Sequence, residues 1–381
     1  MVVFILIRNF SDILKSAFIK TILQYYVILR RFKNHYSDMS EVKLTQYSHG
    51  SGCGCKISPK VLDQILHTLT PQNAFPNLLV GNKDKDDAAV FDLGNGEAII
   101  STTDFFMPIV DDAFDFGRIA STNALSDIYA MGGEPIMAIA ILGWPIDSIP
   151  AEIAQRVLNG SRATCTAANI PLAGGHSIDS PEPFFGLAVT GKVKIEHLKQ
   201  NSTATEGCLL YLTKPLGVGL LATAQKMGIS NPEYLQVAVS QMATLNKVGA
   251  DLGKLSAVKA MTDVTGFGLL GHLVEMCEGS NLSAEISYEK VPKMPEANDY
   301  LYPFCAPKGC NTNWESYGEK VSAITDTQRI LLADPQTSGG LLIAVEPAGK
   351  EELERILQEN GILAESFGQM IAKMEKSINV I

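Results

Sequence analysis

Apolar residues recur along this chain at two spacings, and each change of spacing marks an element. Val61, Leu62, Ile65, Leu66 and Leu69 fall three and four apart, predicting a helix that opens at Pro59 behind an N-cap at Ser58. Asp86–Leu93 and Ala98–Asp104 read as strands joined through Gly94-Asn95-Gly96, a strong hairpin signal. A two-residue Asn95-Gly96 turn would set Asp87 opposite Asp104. Two like charges so opposed are unfavourable unless a cation lies between or above them. A helix is predicted from Asp115 to Met131, with Phe116, Ile119, Ala120, Ala124, Ile128 and Met131 inward. Asn123 and Asp127 are four apart and share that side, where a carboxylate needs a partner or a metal. A strand at Ile136–Leu142 and a helix at Ala151–Asn169 follow. A strand then runs into a Gly174-Gly175-His176-Ser177 loop whose bare N–H groups suit phosphate or ribose. Phe184–Val193 is one more strand, and the polar stretch 200–207 reads as a domain boundary.

The second half opens with a strand near Leu209–Thr213 and continues through helices to Leu255. Gly266, Gly268 and Gly271 satisfy G-x-G-x-x-G, but Asp263 just upstream would repel a bare pyrophosphate. With Mg2+ present that objection inverts, and Asp263 becomes a metal ligand at a helix entrance. His272 falls inside the helix and reads as a satisfied core histidine. A turn rich in glycine, Asp334–Gly340, leads into the strand Leu341–Val345.

A length of 381 residues favours two domains over one. The net charge of −10 argues against a nucleic-acid partner. Seven cysteines, an odd number scattered through a large chain, fit a reducing cytoplasm. The first 38 residues differ from the rest, setting Arg8, Lys15, Lys20, Arg30, Arg31 and Lys33 against Asp12 and Asp38. No apolar run there spans a bilayer and targeting grammar is absent, so membrane contact is not expected. Of two readings, a basic amphipathic arm or translation read from too far upstream, the second is favoured, with a working start at Met39.

The densest chemistry lies in Gly52-Cys53-Gly54-Cys55-Lys56, where a nucleophilic sulfur and a cation stand three positions apart beside a helix N-terminus. The glycines allow such a loop to swing. A zinc site would need four ligands, and the other close pair, Cys305 and Cys310, is remote in sequence. A P-loop fails because Cys55 replaces its second glycine and Ile57 its hydroxyl residue.

These motifs together resemble selenophosphate synthetase, the selenide, water dikinase family. The resemblance runs from about Leu44 to the C-terminus, through Ser48–Lys56, Asp86–Val90, Ser101–Met107, Thr122–Gly133, Ala173–Asp179, Thr262–His272 and Asp334–Gly340. It implies an α/β (α+β) two-domain fold like that of aminoimidazole-ribonucleotide synthetase, with N-terminal sheets of two chains joining in a homodimer. The implied division is 1–43 as a non-catalytic extension and lead-in, 44–200 as the ATP- and metal-binding, dimerising domain, and 201–381 as a C-terminal α/β domain. The implied reaction turns ATP, selenide and water into selenophosphate, AMP and inorganic phosphate, supplying selenium for selenocysteine and seleno-tRNA. By position, Cys53 and Lys56 are the catalytic pair, and Asp87, Asp127 and Asp263 hold Mg2+. Lys56, Asp84, Lys85, Asp86, Asp104, Asp127, Gly175, His176 and Ser177 contact ATP. The resemblance admits a selenium-delivery protein as a further partner.

Overall fold

The computed structural model describes residues 42–57, 59–66, 75–81 and 86–381. Ser58, Asp84, Lys85 and the whole of the basic arm lie outside the described residues. Leu44–Ile381 forms one compact unit, to which all that follows refers.

Its first half comprises α1 (Pro59–Leu66), β1 (Leu78–Val80), β2 (Ala89–Asp92), β3 (Glu97–Phe106), α2 (Ala113–Ala130), β4 (Glu134–Trp144), α3 (Ala151–Ala167), β5 (Leu172–Asp179) and β6 (Phe184–Lys194). The strands form a six-stranded sheet in the order β1-β2-β3-β6-β4-β5. All neighbours are antiparallel except β4 and β5, whose parallel pairing is bridged by α3. β3 shows why the sequence makes a sheet with one covered face: Ala98, Ile100, Asp104 and Phe106 are buried, whereas Ser101, Thr103 and Phe105 are exposed. The covered face packs on α2, which is buried along nearly its whole length. α2 lies close on α3, since a Cβ at Gly117 would fall 1.9 Å from the Val157 carbonyl oxygen.

Two expectations are corrected here. In the hairpin, Ala89 pairs with Ser101, Val90 with Ile100 and Asp92 with Ala98, so the register is one residue from the predicted one. Gly94 and Gly96 both take positive φ, 79° and 86°, and Leu93 N bonds Glu97 O, making Gly94-Asn95-Gly96 a three-residue loop. Asp87 therefore lies outside β2 and does not face Asp104 across the ladder. The Gly-Gly-His-Ser segment is not a loop but part of β5, whose residues 173–179 are exposed at the sheet edge, with His176 opposite Ile141.

The second half comprises β7 (Leu209–Leu212), α4 (Val218–Lys226), α5 (Pro232–Met242), α6 (Val248–Gly253), β8 (Val258–Asp263), α7 (Gly268–Gly279), β9 (Ser283–Ile286), α8 (Lys308–Tyr317), α9 (Asp326–Leu332), β10 (Leu341–Val345), α10 (Lys350–Glu359), β11 (Gly368–Ile371) and β12 (Ile378–Val380). Its sheet runs β12-β9-β11-β7-β10-β8. β10 is buried throughout, as its unbroken apolar run requires of a central strand. Its core joins Met261, Ile343 and Leu353 to Ala130 at the end of α2, so the two halves share a packed boundary.

Candidate active site

The Cys53 loop is seated at that boundary. Gly52 takes φ 50° and donates its N–H to Met107 O at 3.0 Å, a position no side chain could fill, because a Cβ there would fall 2.3 Å from Thr337 Oγ1. Cys53 is fully buried, its N–H donating to Thr337 Oγ1 at 3.0 Å and its thiol to Asn123 Oδ1 at 3.1 Å. Lys56 N closes the turn on Cys53 O. Gly266 supplies the seat: a Cβ there would strike Cys53 O at 2.5 Å. The glycine of the weak G-x-G-x-x-G match thus serves close approach of a loop.

Asn123 joins the sulfur to the charges. Its Oδ1 also accepts Ser338 N at 2.8 Å, and its Nδ2 donates to Asp104 Oδ2 at 2.6 Å. Lys56 Nζ reaches the same carboxylate oxygen at 3.2 Å. Burial works to lower the Lys56 pKa, but Asp104 and, to a lesser degree, Cys53, Asp127 and Asp263 outweigh it and hold the ammonium above its ordinary range.

The carboxylates converge around this pair. Asp104 points inward from β3, and Thr102, two residues earlier on the same face, donates to Asp127 Oδ2. Asp263 ends β8, and its neighbour Thr262 donates to Asp87 Oδ1 at 2.8 Å. Asp86 Oδ1 accepts Asn201 N. Burial, then the charges of Asp263, Asp86 and Asp127, raise the Asp87 carboxyl well above the usual range. Burial, then Asp263 and Asp104, do the same to Asp127. Burial lifts Asp263 to about 6, with Asp104 adding and Ser126, Lys56 and Lys214 opposing. Asp87 Oδ2 and Asp263 Oδ2 are buried without a hydrogen-bond partner. Such acids are costly alone and call for a cation.

The structure thus gathers Cys53, Lys56, Asp86, Asp87, Asp104, Asp127 and Asp263 at one boundary. It leaves Gly175, His176 and Ser177 on exposed β5, with no hydrogen bond to the cluster among the described residues. His272 is a satisfied core histidine: Nε2 accepts Thr265 N at 3.1 Å, the ring stacks on Phe267, and burial followed by the Lys56 charge lowers it to about 3. Cys305 and Cys310 are buried free thiols. Sequence reasoning gave no role to Thr102, Thr262, Thr337 or Ser338, and used Asn123 only for its spacing from Asp127.

Residues 85–193 match the N-terminal domain of AIR synthase related proteins and residues 205–381 the C-terminal domain. Selenide, water dikinase of Colwellia psychrerythraea is 58% identical over 343 residues, covering 90% of this chain and 100% of that protein. The chain belongs to the selenide, water dikinase family. The Pseudomonas putida member is 57% identical over 344 residues, with 90% and 100% coverage. Among solved structures, thiamine-monophosphate kinase from Stenotrophomonas maltophilia shares the fold at TM-score 0.61 and 19% identity, covering 80% of this chain and 91% of that one. Hydrogenase maturation protein HypE in complex with ATP does so at 0.58 and 15%, covering 91% and 90%.

Proposed function

We propose that the boundary between the two sheets is where the protein makes selenophosphate from selenide, ATP and water. The observation that carries this reading is the meeting of a buried thiol, an ammonium and a carboxylate cluster, in a chain of this family. Selenide takes one phosphoryl group, and water cleaves the remaining diphosphate, leaving AMP and inorganic phosphate.

Mg2+ fits the donor set. The donors are hard carboxylate oxygens, two of them orphaned, and their crowding raises every acid that a divalent ion would neutralise. Among the described residues no three acidic, histidine or cysteine side chains form a ready cage. That suits an ion which completes its shell with phosphate oxygens and water. Asp87, Asp127 and Asp263 would hold it, and when bound it supplies charge neutralisation on the phosphates. Asp86 and Asp104, with Asp84 and Lys85, are assigned to the nucleotide side.

The chain's own residues do the rest. Lys56 gives up part of its pairing with Asp104 to meet the transferring phosphoryl group. Asn123 holds the Cys53 sulfur, which positions or carries selenium. The loop, seated on Gly266 and Thr337, keeps water from a nucleophile that is easily oxidised. Residues 44–200 form the ATP-binding half in this reading and 201–381 its partner half, with 1–43 outside the chemistry. The outer face of the first sheet exposes Phe91, Phe105, Met137, Ile139 and Ile178, and we assign it to a second copy of the chain. β5, with Gly175, His176 and Ser177, borders that face. The deciding assay is AMP formation from ATP with and without selenide. AMP release indifferent to selenide would overturn the reading.

A further inference from the structure

Behind the Cys53 loop lies a cavity of about 530 Å³, bounded by one face of α4 from Gly219 to Lys226, the start of α8 and Pro335 and Thr337. Its basic lining side chains are His49, Lys56, Lys226 and Lys308, and no carboxylate lines it among the described residues. His49 is engaged at the rim by Glu182, with Nδ1 2.8 Å from Oε2. Lys226 Nζ reaches the carbonyls of Ser48 and His49 at 3.5 and 3.4 Å, holding the loop's root. Lys308 is exposed and its ammonium makes no ion pair among the described residues. It opens α8, a ten-residue helix whose N-cap, Pro307, offers no side-chain acceptor. Asp87, Asp104, Asp127 and Asp263 are absent from the lining, while Lys56 belongs to both sides, lining the cavity and pairing with Asp104.

We propose that this cavity is the port by which the anionic selenium nucleophile reaches Cys53 and selenophosphate leaves, with Lys226 and Lys308 selecting small anions. The inference rests on the functional reading above and adds a route to it. Hydroselenide and a metal-bound nucleotide make opposite demands: the carboxylates that suit the second repel the first. A chain of net charge −10 also repels anions at long range, so a basic opening raises their local concentration at the loop. The cavity lies within the ordinary size range of small-ligand sites and has room for a hydrated phosphate-sized anion.

The test measures AMP formation by the full chain while selenide, ATP and salt are varied, for the parent protein, Lys308→Ala, Lys308→Glu and Lys226→Gln. Steering of this kind is worth on the order of 10-fold or more in association rate for a whole charged cleft. The expected loss in kcat/KM for selenide at low salt is therefore about threefold for Lys308→Ala and about tenfold for Lys308→Glu, with a flatter salt dependence. KM for ATP should stay within about twofold on the same grounds. A glutamate at a helix start suits the helix dipole, so Lys308→Glu should fold normally. Unchanged kcat/KM for selenide in Lys308→Glu would overturn the port. So would an equal rise in KM for ATP, which would give the cavity to the nucleotide. A parent protein that releases AMP without regard to selenide would instead sink the functional reading, and the port with it.

Discussion

Asn123 is where the site is most open to refutation, because one buried amide serves three partners. In Asn123→Ala the Ser338 N–H loses its acceptor and Asp104 loses a donor. At about 1–3 kcal/mol per orphaned buried group, the fold should lose about 2–6 kcal/mol. Asn123→Asp keeps the shape and replaces the donating Nδ2 with a carboxylate oxygen, 2.6 Å from Asp104 Oδ2 in the parent geometry. At an effective dielectric near 20, two unit charges at that separation repel by about 6 kcal/mol. The isosteric variant should therefore be the more damaged unless it takes up a proton. Urea denaturation at pH 7.5 measures stability, AMP formation measures activity, and alkylation of Cys53 followed by peptide mass mapping reports on the thiol's seat. Both variants should lose selenide-dependent AMP formation, and Cys53 should alkylate faster. An Asn123→Ala protein within about 1 kcal/mol of the parent and fully active would refute the hub, being below the cost of one orphaned group. So would an Asp variant that stays charged at neutral pH and is nevertheless more stable than the Ala one.

Three further outcomes are expected. Cys53→Ser should abolish selenophosphate formation, followed by phosphorus NMR, while ATP still raises the melting temperature; retained selenide-dependent turnover would remove the sulfur from the mechanism. Asp87→Asn, Asp127→Asn and Asp263→Asn should each lower kcat by roughly 10²-fold or more, the scale of losing one electrostatic clamp on a phosphoryl group. Their melting temperatures without metal should hold or rise, and a large fall would mean that the carboxylates are structural. His272 is lowered from 6.5 to about 3, by burial first and the Lys56 charge second, so its contribution to stability is complete above pH 6.5 and is lost as pH falls towards 3. His272→Gln retains an acceptor for Thr265 N–H without titrating. Between pH 7 and 5 it should be spared about 2 kcal/mol of the parent's loss, read by urea melts at both values.

What could be read from the sequence followed from how local each signal is. The alternation Ala98, Ile100, Thr102, Asp104 and Phe106 is a property of neighbours, and in the structure it turns Asp104 inward. The hairpin was equally local but depended on whether Gly94 joined the loop, and one residue of slip moved Asp87 off the ladder position assigned to it. His176 followed two glycines, a loop signal, yet pairing with Ile141 on β4 kept that segment extended. Propensity yields to pairing where a parallel neighbour is available.

The residues that sequence reasoning passed over share one physical trait: their partners are distant along the chain. Cys53 and Thr337 are 284 positions apart, Asn123 and Ser338 215, and Asp87 and Thr262 175. No periodicity or motif spacing encodes such pairs. Asn123 and Asp127 could be found because one helical turn brings them to the same face, whereas a threonine or serine hydroxyl carries no charge to flag it. These same pairs make the cysteine loop depend on both halves of the protein. Its sulfur is held by α2 of the first half and its backbone by the Asp334–Gly340 turn of the second. That turn is itself anchored by Gln336 on the N-terminus of α4 and by Lys214 on the Ser338 carbonyl. A displacement of α4 relative to the first sheet would reach Cys53 through Thr337 and Lys56 through the seat on Gly266. The loop therefore cannot open at the sulfur without loosening the contacts that couple the two sheets, and nucleotide bound between those sheets would favour the closed loop by reinforcing them.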